Sequence, residues 1–306
     1  MVASRTLASP QVDILTWCSM YVREIVKRCS LPGLVRDSIE HGKLYLIYQP
    51  QFNVKEGKVD AVEALLRWEE PSFGDIPPEE FIPLFEETGL LNEVSGWVFS
   101  EVCKQLVVWK MRDVVFPKVS INVSQSQLRQ PEFLETVKTI FQRYISDREF
   151  KELMNSTRIE FEVHGSDFFS DVTAMAALQE LKQMGFGIAL DDCSMELKFL
   201  ADCPEGLIDT VKLEMSCTRN AQASKVGAAV FESFLFLANK LGVEVVAKGV
   251  EHMNQLYYLR ELGCTGAQGN FVSRPLPEHA FLSWLLQMPA CNAVQKEMPR
   301  MVLVNG

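Results

Sequence analysis

The sequence predicts an α/β barrel, and three observations predict it. From about residue 43, short β-like runs alternate with longer stretches of helical period, the pattern of β/α units on a parallel sheet. The runs number eight, the count that closes a barrel. Isolated charged and amide residues recur at the C-terminal ends of those runs, where barrels assemble their sites.

The strand candidates, in order, are KLYLIYQP from Lys43, VDAVEALLRW from Val59, KVSINVS from Lys118, RIEFEV from Arg158, FGIALDD from Phe186, DTVKLE from Asp209, VEVVAKGV from Val243 and TGAQGNFVS from Thr265. The helical stretches carry apolar stripes for covering the outside of the sheet. Over 92–110 the stripe is Val94, Trp97, Val98, Val102, Leu106 and Trp109. Over 223–241 it is Val226, Val230, Phe234, Leu237 and Leu241. Ahead of the barrel, Ser9 and Pro10 make a cap and first-turn pair. Ile14, Trp17, Cys18, Tyr21, Val22, Ile25 and Val26 then give a wide apolar face, before Leu31-Pro32-Gly33 breaks the helix. That face reads as a lid on the barrel floor, with a dimer or partner helix as the alternative. The expected organisation is a helical extension at 1–33, a barrel domain at 34–285 and a tail at 286–306.

With 306 residues, 47% of them hydrophobic, the chain can bury a substantial core. A net charge of -10 argues against a general binder of nucleic-acid polymers or membrane surfaces, because both polyanions repel an acidic surface. The eight cysteines include no C-x-x-C pair and the four histidines no H-E-x-x-H, which argues against a zinc site. No signal-like segment and no apolar run of about 18 residues is found, so a cytoplasmic protein with reduced thiols is expected.

The strand-end residues are Gln49, Glu63, Asn122, Glu162, Asp191 with Asp192, Lys212, Lys248 and Gln268. Each alone has a structural explanation: Glu63 can pair with Arg67, Asn122 can cap the next helix, and the paired aspartates can favour a helix N-terminus. Together they are harder to dismiss. Crowded carboxylates repel unless cations sit among them, and hard oxygen ligands converging on one point suit Mg²⁺ or Mn²⁺.

Read in order, these motifs resemble the EAL-domain family, bacterial phosphodiesterases that open cyclic di-GMP. The resemblance runs over roughly 34–282, through YQP at 48–50, EALLRW at 63–68, FIPLFEETGLL at 81–91, INVS at 121–124, EFEV at 160–163, ALDD at 189–192, VKLE at 211–214, VVAKGVE at 245–251 and GAQGNFVSRPLP at 266–277. It implies a modified TIM-type (β/α)8 barrel with the N-terminal helical extension. Glu63, Asn122, Glu162 and Asp191 match the ligands of a first metal, and Asp191 with Asp192 the pair reaching a second. Lys212 matches the lysine that orients the attacking water, while Gln49, Arg67 and Gln268 match nucleotide contacts. Mg or Mn would be the cofactor of an active member.

Two departures stand out. Lys248 replaces the glutamate that in the family attends the second metal and its water, which removes a base and sets an ammonium against a cation. Lys248 is expected to neutralise Asp191, Asp192 or Glu162; the alternative is that it swings out to solvent and leaves room for two ions. The family's glycine-rich loop is replaced by CSMELKFLADC at 193–203, expected to start a helix at once, and EVHGSD puts His164 and Gly165 where a loop-anchoring acid would stand. The resemblance therefore implies a degenerate regulatory member acting through cyclic di-GMP, a protein partner or a homodimer, with no metal needed. The alternative is an active phosphodiesterase giving the linear dinucleotide.

Overall fold

The computed structural model describes residues 31–70, 74–165, 167–195 and 203–287. The N-terminal helix expected before residue 30, and the tail beyond 287, lie outside the described residues. Packing divides the described residues into two compact units, one lying within 31–45 and 66–91, the other within 46–65 and 92–287.

In the first unit, helix Leu31–Glu40 includes the tripeptide expected to break one. Pro32 stands in its first turn, where a missing N–H costs nothing, so the proline is compatible with helix there. The C-terminal part of strand β2 (Lys58–Glu70) pairs antiparallel with β3 (Gly74–Ile76), with Trp68 opposite Ile76. Trp68 packs on Phe81 and Phe85 of helix Pro78–Glu87, and its indole N–H donates to Ser38 Oγ at 3.1 Å, so the buried ring's one polar atom is satisfied.

The second unit holds the ring of strands. Besides β1 (Leu44–Asn53) and β2, it comprises β4 (Lys118–Val123), β5 (Arg158–His164), β6 (Gly187–Cys193), β7 (Thr210–Leu213), β8 (Glu244–Ala247) and β9 (Gly266–Ala267). From β2 to β9 every neighbour is parallel. The eight expected runs supply these eight strands, and a β1–β2 pairing closes the circle. One expectation needs correction: β1 is antiparallel to β9, with Phe52 opposite Ala267, so the ring is not wholly parallel. Residue alternation carries no information on strand direction, which is why the sequence does not show this. A further short strand, β10 (Leu276–Pro277), pairs with β1 and leads into helix Glu278–Gln287.

Both faces of β5 are buried for most of its length. Ile159, Phe161 and Val163 form its outer face; Phe161 meets Phe99, Phe133 and Phe186 in an aromatic cluster. A second cluster joins Tyr48, Trp109, Phe116 and Phe281. Helix Leu91–Lys110 buries Val94, Val102, Leu106 and Trp109 of its expected stripe and adds Phe99 and Cys103. Helix Lys225–Lys240 follows expectation in part, with Phe234 buried and Leu237 half-buried against the core. It buries Phe231, Phe234, Leu235 and Ala238, whereas Val226 and Val230 of the expected stripe, and Leu241 just beyond, are exposed. Two apolar stripes lie side by side on this helix, and periodicity alone does not say which one faces the sheet.

Candidate ligand site at the mouth of the barrel

Strand alternation sets the inner face. On β5 residues two apart share a side, so Glu160, Glu162 and His164 follow one another toward the C-terminal end, and Thr210 and Lys212 do the same on β7. Glu63, Glu162 and Lys212 are buried together there. The Lys212 ammonium lies 2.9 Å from Glu63 Oε2 and forms a close ion pair with Glu162. Gln268 Nε2 donates to the same Glu63 oxygen at 2.7 Å and to Gln49 Oε1 at 3.0 Å. Asn122 Nδ2 donates to Glu63 Oε1 at 3.0 Å, and Gln49 Nε2 donates to the Ser273 carbonyl at 3.2 Å.

At the rim, Lys248 Nζ donates to Asp191 Oδ1 and Oδ2 at 2.9 and 3.1 Å and to Asp192 Oδ1 at 2.7 Å. The lysine is turned inward onto the acids, with 26% of its side chain exposed. Adjacent residues of a regular strand face opposite sides of a sheet, so one cation reaching both aspartates requires a distortion. It is present: the β6–β7 register shifts between Leu190 and Cys193, and Asp192 takes a left-handed φ of 49°, which Asp tolerates better than most residues. The Lys248 amide donates to the Leu213 carbonyl at 3.2 Å, and the Val250 amide to the Gln268 carbonyl at 3.1 Å, so Lys248 and Gln268 sit on interlocked backbone.

Burial pushes the Glu63 carboxyl upward, but the Lys212 charge and the bonds from Gln268, Lys212 and Asn122 outweigh it and hold Glu63 well below the usual carboxylate range. Glu162 is buried as deeply and repelled by Glu63 beyond what Lys212 offsets, so its carboxyl is pushed up. Burial disfavours both ammoniums, yet the carboxylates around Lys212, and Asp191 with Asp192 around Lys248, raise the two lysines above their ordinary value. Both remain cations.

The donors Glu63, Asn122, Glu162 and Asp191 are all oxygen atoms, and the buried oxygens of Glu162 accept no hydrogen bond beside the Lys212 ion pair. That chemistry fits one hard divalent ion. Beside Asp191 and Asp192, where a second would sit, the Lys248 ammonium does not fit one. Arg67 belongs to the first unit, where its guanidinium donates to the Leu66 carbonyl at 2.7 Å. Ser194 and Met195, the described start of the replaced loop, are not helical, and Met195 has φ of 63°; residues 196–202 lie outside the described residues. Helix formation directly after the paired aspartates is thus corrected.

The sequence reading missed the layer below. Lys118 Nζ lies 2.9 Å from Glu244 Oε2, 3.0 Å from Thr210 Oγ1 and 3.6 Å from Glu160 Oε1, and Thr210 Oγ1 donates to Glu160 Oε2 at 2.8 Å. Gln51 Nε2 donates to Ser120 Oγ at 3.4 Å. The available signal was period two: Glu160, Thr210 and Ser120 each stand two residues before Glu162, Lys212 and Asn122.

An eight-stranded barrel with carboxylates, amides and lysines converging at its mouth defines a class, and the comparisons name it. Residues 34–275 match the EAL domain, and the chain belongs to that family. It is 30% identical over 267 residues to the oxygen sensor protein DosP of Escherichia coli, covering 86% of this chain and 32% of DosP. It is 32% identical over 245 residues to a cyclic di-GMP phosphodiesterase of Pseudomonas aeruginosa, covering 79% of this chain and 40% of that one. The chain thus spans well under half the length of these curated relatives. The phosphodiesterase MucR of Pseudomonas aeruginosa, solved in complex with c-di-GMP, superposes with a TM-score of 0.68 at 29% identity, covering 83% of this chain and all of that one.

Proposed function

We propose that this chain is a regulatory EAL module of cyclic di-GMP signalling, binding the cyclic dinucleotide or a protein partner, with hydrolysis lost or slowed. The single observation that carries the reading is the Lys248 ammonium seated on Asp191 and Asp192. A divalent ion about 4 Å from a fixed ammonium would meet roughly 8 kcal/mol of repulsion at an effective dielectric near 20. Two ions side by side are therefore disfavoured.

The remaining residues support ligand binding. Gln49 and Gln268 present amides at the mouth, suited to base or phosphate contacts, and Arg67 is the guanidinium the family resemblance assigns to the nucleotide. Where an ion binds, Glu63, Asn122, Glu162 and Asp191 would hold it; when bound, such an ion lowers the pKa of water and spreads charge on a phosphodiester. Lys212 keeps its proton and pairs with both Glu63 and Glu162, offsetting part of their charge.

Incubating the protein with cyclic di-GMP and excess Mg²⁺ or Mn²⁺ over hours tests this. Little or no linear dinucleotide is expected; formation at an ordinary enzymatic rate overturns the reading. Calorimetry should show nucleotide binding of similar strength with and without EDTA. No heat at high micromolar nucleotide would leave the protein-partner mode alone. The intact Glu63, Lys212 and Gln268 cluster favours a second reading, slow phosphodiesterase activity, since loss of one general base costs only about 10²–10⁴-fold.

A further inference from the structure

We propose that the barrel interior, one layer below the mouth, contains a binding site for a single water molecule, formed by Gln51 of β1, Lys118 of β4 and Glu160 of β5. All three side chains are enclosed, at 2%, 8% and 0% exposure. β2 lies between β1 and β4 in the ring, so Gln51 Nε2 reaches Ser120 Oγ across the interior, and Ser120 is the register partner of Glu160. Two acceptors of this group have no donor: Gln51 Oε1 and Glu160 Oε1 are buried and accept no hydrogen bond. Buried polar atoms are nearly always paired, with protein or with ordered water. Lys118 supplies the matching donor. An ammonium has three N–H groups, and Lys118 Nζ places two of them, on Thr210 Oγ1 at 3.0 Å and on Glu244 Oε2 at 2.9 Å. Glu160 Oε1 stands 3.6 Å from Nζ, too far for a direct hydrogen bond and within the span that one water bridges.

The pairing defines the ligand. It must donate to two oxygens and accept from one ammonium, which water does with the roughly three bonds usual for a buried molecule. A metal ion cannot accept the Lys118 N–H, and a small anion has no proton for either oxygen. The neighbours are small: Ala61, the register partner of Lys118, and Ala189, the register partner of Thr210, stand where barrels usually pack branched apolar side chains. Gly187, beside Glu160 on β6, acts in the same sense, since a Cβ there would lie 3.2 Å from Glu160 Oε2 and press on the carboxyl that Thr210 Oγ1 holds at 2.8 Å. Water bound here joins β1, β4 and β5, the strands that carry Gln49, Asn122 and Glu162 to the mouth. This site does not depend on nucleotide binding, so failure of one proposal leaves the other standing.

The test is a high-resolution crystal structure of the full chain, grown without nucleotide or added divalent ions, together with oxygen-17 relaxation dispersion in solution. Wild type is expected to show one spherical density peak about 2.7–3.2 Å from each of Gln51 Oε1, Glu160 Oε1 and Lys118 Nζ. Gln51→Met keeps the length of the side chain without its acceptor. It should lose that peak, and one long-lived water from the dispersion amplitude, while keeping the wild-type circular dichroism. Absence of the peak in wild type, a peak only about 2.0–2.4 Å from the two oxygens, as a metal ion gives, or a peak and dispersion amplitude unchanged in Gln51→Met would each overturn the assignment.

Discussion

Lys248 is one side chain, yet exchanging a glutamate for it changes the local charge by two. Lys248→Glu should therefore tighten Mn²⁺ binding, measured by calorimetry in the absence of nucleotide; unchanged affinity would sink the counter-ion role. Gly269 is a second sensitive position. A Cβ there would lie 2.3 Å from the backbone N and O of Val250, so Gly269→Ala should lose about 1–3 kcal/mol in urea unfolding as Lys248 and Gln268 are pushed apart. The residues of the mouth were legible in the sequence because each interrupts an apolar run at a strand end. The turn of Asp192 was not, since a bulge leaves no trace in composition; nor was the lower layer, because Lys118 and Glu160 read as ordinary solvated charges at a strand's beginning.

Elements were legible to the extent that periodicity has one solution. Each β-run became a strand, and helix Leu91–Lys110 buried most of its stripe. Helix Lys225–Lys240 has two adjacent solutions that share Phe234, and packing chose the one that adds Phe231, Leu235 and Ala238. Phe234→Ala should cost about 3–5 kcal/mol, whereas Val226→Ser, at a largely exposed position, should stay within about 0.5 kcal/mol, both read from chemical denaturation. The Lys118–Glu160–Thr210 layer joins three strands. Lys118→Met leaves Glu160 buried without its cationic partner and should cost about 3–5 kcal/mol, and adding Glu160→Gln should recover much of it. Burial depresses the Lys118 pKa, but Glu160 and Glu244 outweigh it and raise it above 10.5. A lysine so raised contributes stability that is full below its unfolded pKa and is lost as pH rises through the folded one. The advantage of wild type over Lys118→Met should accordingly shrink in urea titrations run above about pH 10.5.

For the molecule as a whole, ligand linkage gives the broadest check. At a cyclic di-GMP concentration one hundred times Kd, binding to the native state alone adds about 2.7 kcal/mol, a rise in melting temperature that should persist in EDTA. Among the described residues no helix is long and apolar enough to cross a membrane. The antiparallel seam between Phe52 and Ala267 carries a different kind of consequence. An N-terminal strand that leaves the ribosome early must wait for nearly the entire barrel to be translated before its last neighbour exists. During that interval its open hydrogen-bonding edge can recruit another nascent chain, so slowing synthesis of the barrel's last strands should favour aggregation.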